Sequence, residues 1–314
     1  MRNLVLAGVA AALLCSTAQA ADKKALVFVV NGASDFWKSA EAGVKKAQAE
    51  LPNYTLSLKY PEQSSAAIQN RLLDDLLANG TAGIMVSAVD PKTQTEELNK
   101  VASQAVLFTT DSDAPSTKRI AYIGSSNVEA GKQAGELMKK ALPNGGKCMG
   151  FVGLPGADNA RERVEGIKAG IAGTKITMVD VRADDIDQAR AKRNVEDTLT
   201  ANPDINCMVG IYSYNTPQIY QALKEGGKLG QITVIGFDED PITLGGVKEG
   251  TIAGTVVQQP YEWGYQGMKD MAKVIEGDSS VVPAGKLMII PTKLIEKDNV
   301  DAFWAELKQR QGRK

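Results

Sequence analysis

The sequence predicts an α/β fold of two similar, doubly wound parallel-sheet lobes, and three observations carry that prediction. Short β-rich apolar runs alternate with helical patterns, the alternation passes through two rounds, and the rounds resemble each other. Strands alternating with helices build a parallel sheet covered on both faces, and two rounds build two such sheets.

The first round comprises "ALVFVV" (25–30), "TLSLKY" (55–60), "AGIMVS" (82–87), "AVLFTT" (105–110) and "IAYIG" (120–124). The second comprises "CMGFVG" (148–153), "ITMVDV" (176–181), "NCMVGIY" (206–212), "ITVIGF" (232–237) and "IAGTVVQ" (252–258). Between most of them, apolar positions recur at helical spacings of three and four, as at Ile68, Leu72 and Leu76. "LLANGTAGIMVS" (76–87) lies over "LTANPDINCMVG" (199–210), and "AEAGVKKA" (40–47) over "RVEGIKAG" (163–170). Two similar lobes leave a crevice between them, and ligands of open parallel sheets bind beyond the carboxyl ends of the strands.

Residues 1–20, "MRNLVLAGVAAALLCSTAQA", carry one positive charge (Arg2), an apolar run from Leu4 to Leu14 and a small-x-small end at Ala18-Gln19-Ala20. These are the marks of a secretory signal peptide cut after Ala20, so a soluble, exported mature chain is expected. The alternative, a lipid-modified Cys15, is disfavoured by the bulky Leu14 before it. Loss of Arg2 with the leader moves the formal charge from −1 to −2. That balance argues against nucleic acid or an anionic surface as partner. At this length two domains, each with its own core, are expected. Cys148 and Cys207 remain, near the starts of strands that are neighbours in a doubly wound order. A disulfide and two buried thiols both stay open.

The chain contains no histidine. This removes Ser-His-Asp and Cys-His nucleophile systems, histidine zinc ligands and an imidazole proton shuttle. Gly32-Ala33-Ser34-Asp35-Phe36 starts like a nucleophile elbow but lacks the closing glycine, and Gly146-Lys147 lacks the rest of a phosphate loop. The carboxylate pair Asp184-Asp185 lies among charged residues and reads as a solvated loop or helix start. No enzyme, cofactor or metal site is expected.

What stands at the strand ends is consistent in type. Ser34, Phe36 and Trp37 follow the first strand; Asp90, Asp111, Ser125 to Asn127, Arg161, Asn215, Asp238 and Gln258 follow later ones. Singly, each fits a cap, a turn or core packing, and Trp37 in particular is either a core filler or a platform. Together they fit a neutral polyhydroxylated ligand: carboxylates and amides take pairs of hydroxyls, and a ring covers the apolar C–H face.

Five stretches, "NGASDFWKSAEAG", "TTDSDAP", "YIGSSNVEAGKQAGE", "ADNARERVEGIKAG" and "VIGFDEDP" with "TVVQQPYEWGYQG", resemble the ribose-type periplasmic sugar-binding proteins of bacterial ABC importers. The resemblance covers residues 25–292. It implies two lobes joined by three strands, with crossings near Ser125-Asn127, Phe237-Asp240 and Gln258-Pro260. The expected division is 21–125 plus 259–290 for the N-terminal lobe and 126–258 plus 291–314 for the C-terminal lobe. Sugar-responsive repressors share the fold but carry a DNA-binding helix pair where this chain has its leader.

The same resemblance makes Phe36 and Trp37 the ring wall and Asp111 a hydroxyl acceptor of the N-terminal lobe. Arg161, Asn215, Asp238 and Gln258 are the expected contacts from the C-terminal lobe and hinge. Two departures bear on the ligand: ribose binders have Asn where Ser34 stands and Arg where Ser112 stands, so a different sugar, a longer one or a polyol is expected. Tyr212 and Tyr214, just before Asn215, fit two readings equally: closing part of the extra space, or packing at the strand end. The implied function is a monomeric periplasmic receptor for a neutral sugar or polyol that docks on a membrane permease. A sensor presenting its ligand to a chemoreceptor or kinase, and a secreted enzyme on the same fold, are the alternatives.

Overall fold

The computed structural model describes residues 23–310, so the leader expected at 1–20, with Cys15, lies outside the described residues. The first round forms β1 (Lys24–Val29), β2 (Tyr54–Lys59), β3 (Gly83–Val86), β4 (Val106–Thr110) and β5 (Ala121–Gly124). The second forms β6 (Gly146–Val152), β7 (Ile176–Ala183), β8 (Cys207–Gly210), β9 (Thr233–Phe237) and β10 (Gly254–Val257). Two further strands, β11 (Leu287–Ile289) and β12 (Lys293–Ile295), complete two six-stranded sheets in the orders β2-β1-β3-β4-β5-β11 and β7-β6-β8-β9-β10-β12. Among the described residues, every pairing of these strands is parallel except β10 with β12.

The helices are α1 (Trp37–Glu50), α2 (Ala66–Ala78), α3 (Thr95–Gln104), α4 (Asn127–Ala141), α5 (Asp158–Gly170), α6 (Gln188–Ala201), α7 (Asn215–Glu225), α8 (Pro241–Glu249), α9 (Pro260–Ile275) and α10 (Val300–Arg310). Helices α1, α2, α3 and α9 pack on the first sheet, and α4 to α8 with α10 on the second. Buried strands such as "GIMV" and "CMVG" are apolar throughout because both faces are covered.

Within the described residues the chain passes between sheets three times: at 125–126 after β5, at 258–259 after β10, and at 290–292 between β11 and β12. This corrects one expected crossing. Phe237-Asp240 joins β9 to α8 within the second lobe, and the third crossing is instead Ile290-Pro291-Thr292. The strands flanking it are three residues each and are separated by a proline, too short for a periodic signal.

Each lobe contains a close helix crossing built on glycine. In the first, α1 meets α9, and a Cβ at Gly43 would lie 2.0 Å from the Tyr261 carbonyl oxygen, one at Gly264 2.2 Å from that of Ala40. In the second, α4 meets α5, where Gly131 and Gly166 face the carbonyls of Arg163 and Val128 at 2.2 and 2.1 Å. Those neighbours are backbone and cannot swing aside. Gly264→Ala is therefore expected to force the helices apart and destabilise the protein by about 1 to 3 kcal/mol, the usual overpacking cost; a urea midpoint equal to wild type would contradict this.

Cys148 and Cys207 stand opposite each other in the β6–β8 register, with Cα atoms 4.4 Å apart, and form a disulfide.

Candidate functional site

A cleft lies between the lobes beyond the carboxyl ends of the strands, with about 390 Å³ of unfilled space counting its open mouth. The first lobe contributes Asn31, Gly32, Ser34, Phe36, Trp37 and Asp111; the second and its crossing contribute Asn159, Arg163, Ile186, Tyr212, Ser213, Tyr214, Asp238 and Gln258.

The two carboxylates occupy matching places. Asp111 follows β4 and Asp238 follows β9, and both hold left-handed backbone, at φ 55° and 66°. Asp tolerates that region better than most residues, and its use here turns each side chain back over its sheet. Asp111 takes three donors and keeps accepting capacity on Oδ1: Ser87 Oγ (2.9 Å) and Asn31 Nδ2 (3.4 Å) donate to Oδ2, and Asn159 Nδ2 (2.9 Å) to Oδ1 across the cleft. Asp238 Oδ1 accepts from Gln258 Nε2 at 3.2 Å.

Arg163 is the buried cation between them. Its Nε donates to Asn127 Oδ1 (3.1 Å), its Nη1 to the Ile211 carbonyl (2.9 Å), and its guanidinium lies 5.0 Å from the Phe237 ring centroid. Nη2 is 3.6 Å from Asp111 Oδ1 and makes no hydrogen bond, and Gln258 Oε1 is likewise buried without one. A buried donor and a buried acceptor without partners thus belong to two residues that line the cleft, and such unpaired groups are costly unless something satisfies them.

Arg161 is not in the cavity. Its side chain is about half exposed and pairs with the buried Asp158 at the start of α5. The buried residues of that helix are Asp158, Asn159, Ala160, Arg163, Gly166 and Ile167, so of the two arginines in "RER" only Arg163 is buried. Helical spacing alone would have selected it.

Asn215 stands one layer behind the wall. It accepts from Tyr212 N at 2.9 Å and donates to Asp184 Oδ2 at 2.8 Å. Ser112, Ser125 and Asn127 also lie outside the cavity lining. Ser112 Oγ accepts from Asp158 N across the cleft, the Ser125 carbonyl accepts from the Tyr122 hydroxyl, and Asn127 holds the Asp111 carbonyl and the Arg163 side chain. Asp90 accepts from Lys92 N and Thr93 N and serves a turn. Asn31 and Asn159 line the cavity and lie in two of the stretches that carry the resemblance without having been singled out, whereas Ile186 and Ser213 line it without a motif signal.

Trp37 answers to both readings. It is 2% exposed and sits in the first lobe's core, edge-on to Phe28 (5.6 Å) and Phe36 (4.9 Å), while also bordering the cavity. Ser34 sets up this corner: its carbonyl accepts from Trp37 N and its Oγ from Phe36 N.

Asp184 corrects the reading of the Asp184-Asp185 pair as solvated. It is fully buried and accepts from the Tyr214 hydroxyl, Asn215 Nδ2 and Ile186 N. Asp185 alone faces solvent, paired with Arg190.

Burial raises several of these acids. Asp184 and Asp238 are pushed up to about 6, against the opposing pull of Tyr214 and Arg163 respectively. Glu239, with its Oε2 covered and Ser39 Oγ donating to its Oε1, is pushed up to about 8 by burial and by Asp238 beside it. Folded-state values above the unfolded ones mean that the folded protein holds more protons, so stability rises as pH falls through these values toward about 4. With no histidine to titrate in the same window, the ligand-free protein is expected to melt higher at about pH 5.5 than at about pH 8. Equal or reversed melting temperatures would contradict the burial of these acids.

Two lobes, three crossings and a cleft that collects carboxylates, an arginine, amides and rings define a ligand-enclosing binding protein of the type that closes about its crossings. The comparisons agree: a profile described as "Periplasmic binding protein domain" matches residues 25–279, and the chain belongs to that family. It is 29% identical over 280 residues to the ribose import binding protein RbsB of Salmonella typhimurium, covering 88% of this chain and 93% of that protein. Among solved structures, an ABC transporter solute-binding protein of Burkholderia graminis in complex with D-arabinose superposes with a TM-score of 0.82 at 29% identity, covering 88% of this chain and 97% of that one. GanP, a glucose-galactose binding protein of Geobacillus stearothermophilus, gives 0.82 at 28%, covering 88% and 98%.

Proposed function

We propose that this protein is a periplasmic solute receptor that captures a neutral sugar or polyol between its lobes and delivers it to the permease of an ABC importer. The observation that carries the reading is the convergence of Asp111, Asp238 and Arg163, from both lobes, on one buried cavity walled by Phe36 and Trp37. The acids take hydroxyl protons, Arg163 gives protons to ring or hydroxyl oxygens, and the rings cover a C–H face. The moving bodies are 21–125 plus 259–290 and 126–258 plus 291–314. Because each side supplies contacts only when closed, ligand favours the closed form by its differential affinity for it.

The site binds and does not catalyse: the carboxylates are held by hydrogen bonds to neighbours, and the relatives are named as binding proteins. The test is a thermal-shift screen against pentoses, hexoses, deoxy sugars and sugar alcohols. A ligand at about a hundred times its Kd adds about 2.7 kcal/mol and moves the midpoint by several degrees. No shift with any carbohydrate would overturn the reading.

A further inference from the structure

The wall made by Tyr212 and Tyr214 has a feature that the two departures from the ribose pattern do not explain. Both rings are 8% exposed, lie edge to face at 6.4 Å between centroids, and border the cavity. Both hydroxyls donate to protein: Tyr212 Oη to Oδ1 of Asn159 at 3.0 Å, which lines the cavity, and Tyr214 Oη to Oδ1 of Asp184, which does not. Three donors converge on Asp184: that hydroxyl, Ile186 N on Oδ1 (2.9 Å) and Asn215 Nδ2 on Oδ2 (2.8 Å). An ionised carboxylate is acceptor-only and satisfies all three; an amide in its place offers one acceptor oxygen and turns an NH₂ toward a donor. The turn that presents it is strained, with Asp185 at φ 55° and the β-branched Ile186 at φ 63°, and Ile186 itself reaches the cavity.

Resting on the carbohydrate reading above, we propose that Asp184 is a specificity-determining positioning residue: by accepting the hydrogen bond of the Tyr214 hydroxyl it leaves that phenol oxygen only lone pairs to offer the cavity. The ligand must then present a hydrogen-bond donor at this wall, a free hydroxyl and not an ether, carbonyl or carboxylate oxygen. Asp184 touches no ligand itself. It acts through Tyr214, with Asn215 locking the carboxylate from behind.

The test is calorimetric titration of the wild type, Tyr214→Phe, Asp184→Asn and the double variant Asp184→Asn/Asn215→Asp, with D-arabinose, D-ribose and their sugar alcohols as probes. Loss of one hydrogen bond predicts that Tyr214→Phe and Asp184→Asn each weaken the tightest probe about fivefold or more. The double variant exchanges amide and carboxylate. The amide oxygen then at position 184 again accepts from Tyr214 and Ile186, its NH₂ donates to the carboxylate then at position 215, and affinity is expected to return to near wild type. A purely structural role for Asp184 is rescued by the same exchange, so the two are separated by Tyr214→Phe, which leaves the Ile186 and Asn215 bonds to Asp184 in place and weakens binding only if the Tyr214 hydroxyl meets the ligand.

Tyr214→Phe binding as tightly as wild type overturns the assignment, as does a folded double variant as weak as Asp184→Asn. If Asp184→Asn does not fold, the Tyr214→Phe titration decides alone. A wild type that binds no carbohydrate overturns the carbohydrate reading and this assignment with it; a wild type that binds while Tyr214→Phe is indifferent overturns only the latter.

Discussion

Arg163→Ala is expected to retain the fold and to lose binding by about thirtyfold or more, while Arg161→Ala binds like the wild type. Truncating one member of a buried, hydrogen-bonded charge pair costs about 2 to 5 kcal/mol in binding. Arg163 is a buried charge of this kind: it is 1% exposed, held by Asn127 and the Ile211 carbonyl, paired with Asp111 at 3.6 Å, and its Nη2 has no hydrogen-bond partner. Its charge also holds down both Asp111 and Asp238. Without it, the counter-charge that holds both acids down is gone and burial raises them further. Asp238→Ala should weaken binding to a similar degree from the opposite sign. Arg161, half exposed near the start of α5, contributes an ion pair of little worth. Calorimetry on the three variants, with melting curves as a control for folding, separates them. Equal losses for Arg161→Ala and Arg163→Ala would mean that burial along α5 does not define the site.

Trp37→Ala is expected to do double damage. The ring is almost fully enclosed by Phe28, Phe36 and their neighbours, and deleting an aromatic from such a place costs about 3 to 5 kcal/mol of stability. Its cavity edge is lost in the same step, so affinity falls as well. Trp37→Phe keeps most of the packing and is expected to melt close to the wild type. It should also abolish the ligand-induced change in intrinsic fluorescence, although Trp263 and Trp304 remain. A Trp37→Ala protein with wild-type melting would place the ring outside the core, and one with wild-type affinity would place it away from the ligand.

Ten strands were legible in the sequence: most are buried apolar runs, the edge strands β2 and β7 are β-rich runs of mixed exposure, and helix periodicity stands between most of them, a signal that needs no tertiary context. β11 and β12 were not, since three-residue strands owe their existence to the partner edge they meet. For the site, the strand-end rule led to Ser34, Phe36, Trp37, Asp111, Asp238 and Gln258, all of which border the cavity. It could not rank residues one turn further on. Arg161 and Arg163 differ only in which way a helix faces, and Asn215 and Asp184 differ in depth behind a wall that two tyrosines make. The burial of Asp184 was hidden by its charged neighbours, because Asp185 and Arg190 keep their charges outside while the backbone turns Asp184 in.

The glycine crossing of the first lobe has a consequence for the order in which the molecule can assemble. Its two halves, α1 and α9, are separated in the chain by the entire sheet of the second lobe save β12. A polypeptide made from its N-terminus presents β1 to β5 early, but with the glycine face of α1 bare and the edge of β5 unpaired. Neither is covered until α9 and β11 have been synthesised. The α4–α5 crossing of the second lobe, by contrast, closes within residues 127–170. The lobe that begins the sequence is thus the one that must wait, and the chain's last quarter decides when its first quarter becomes native.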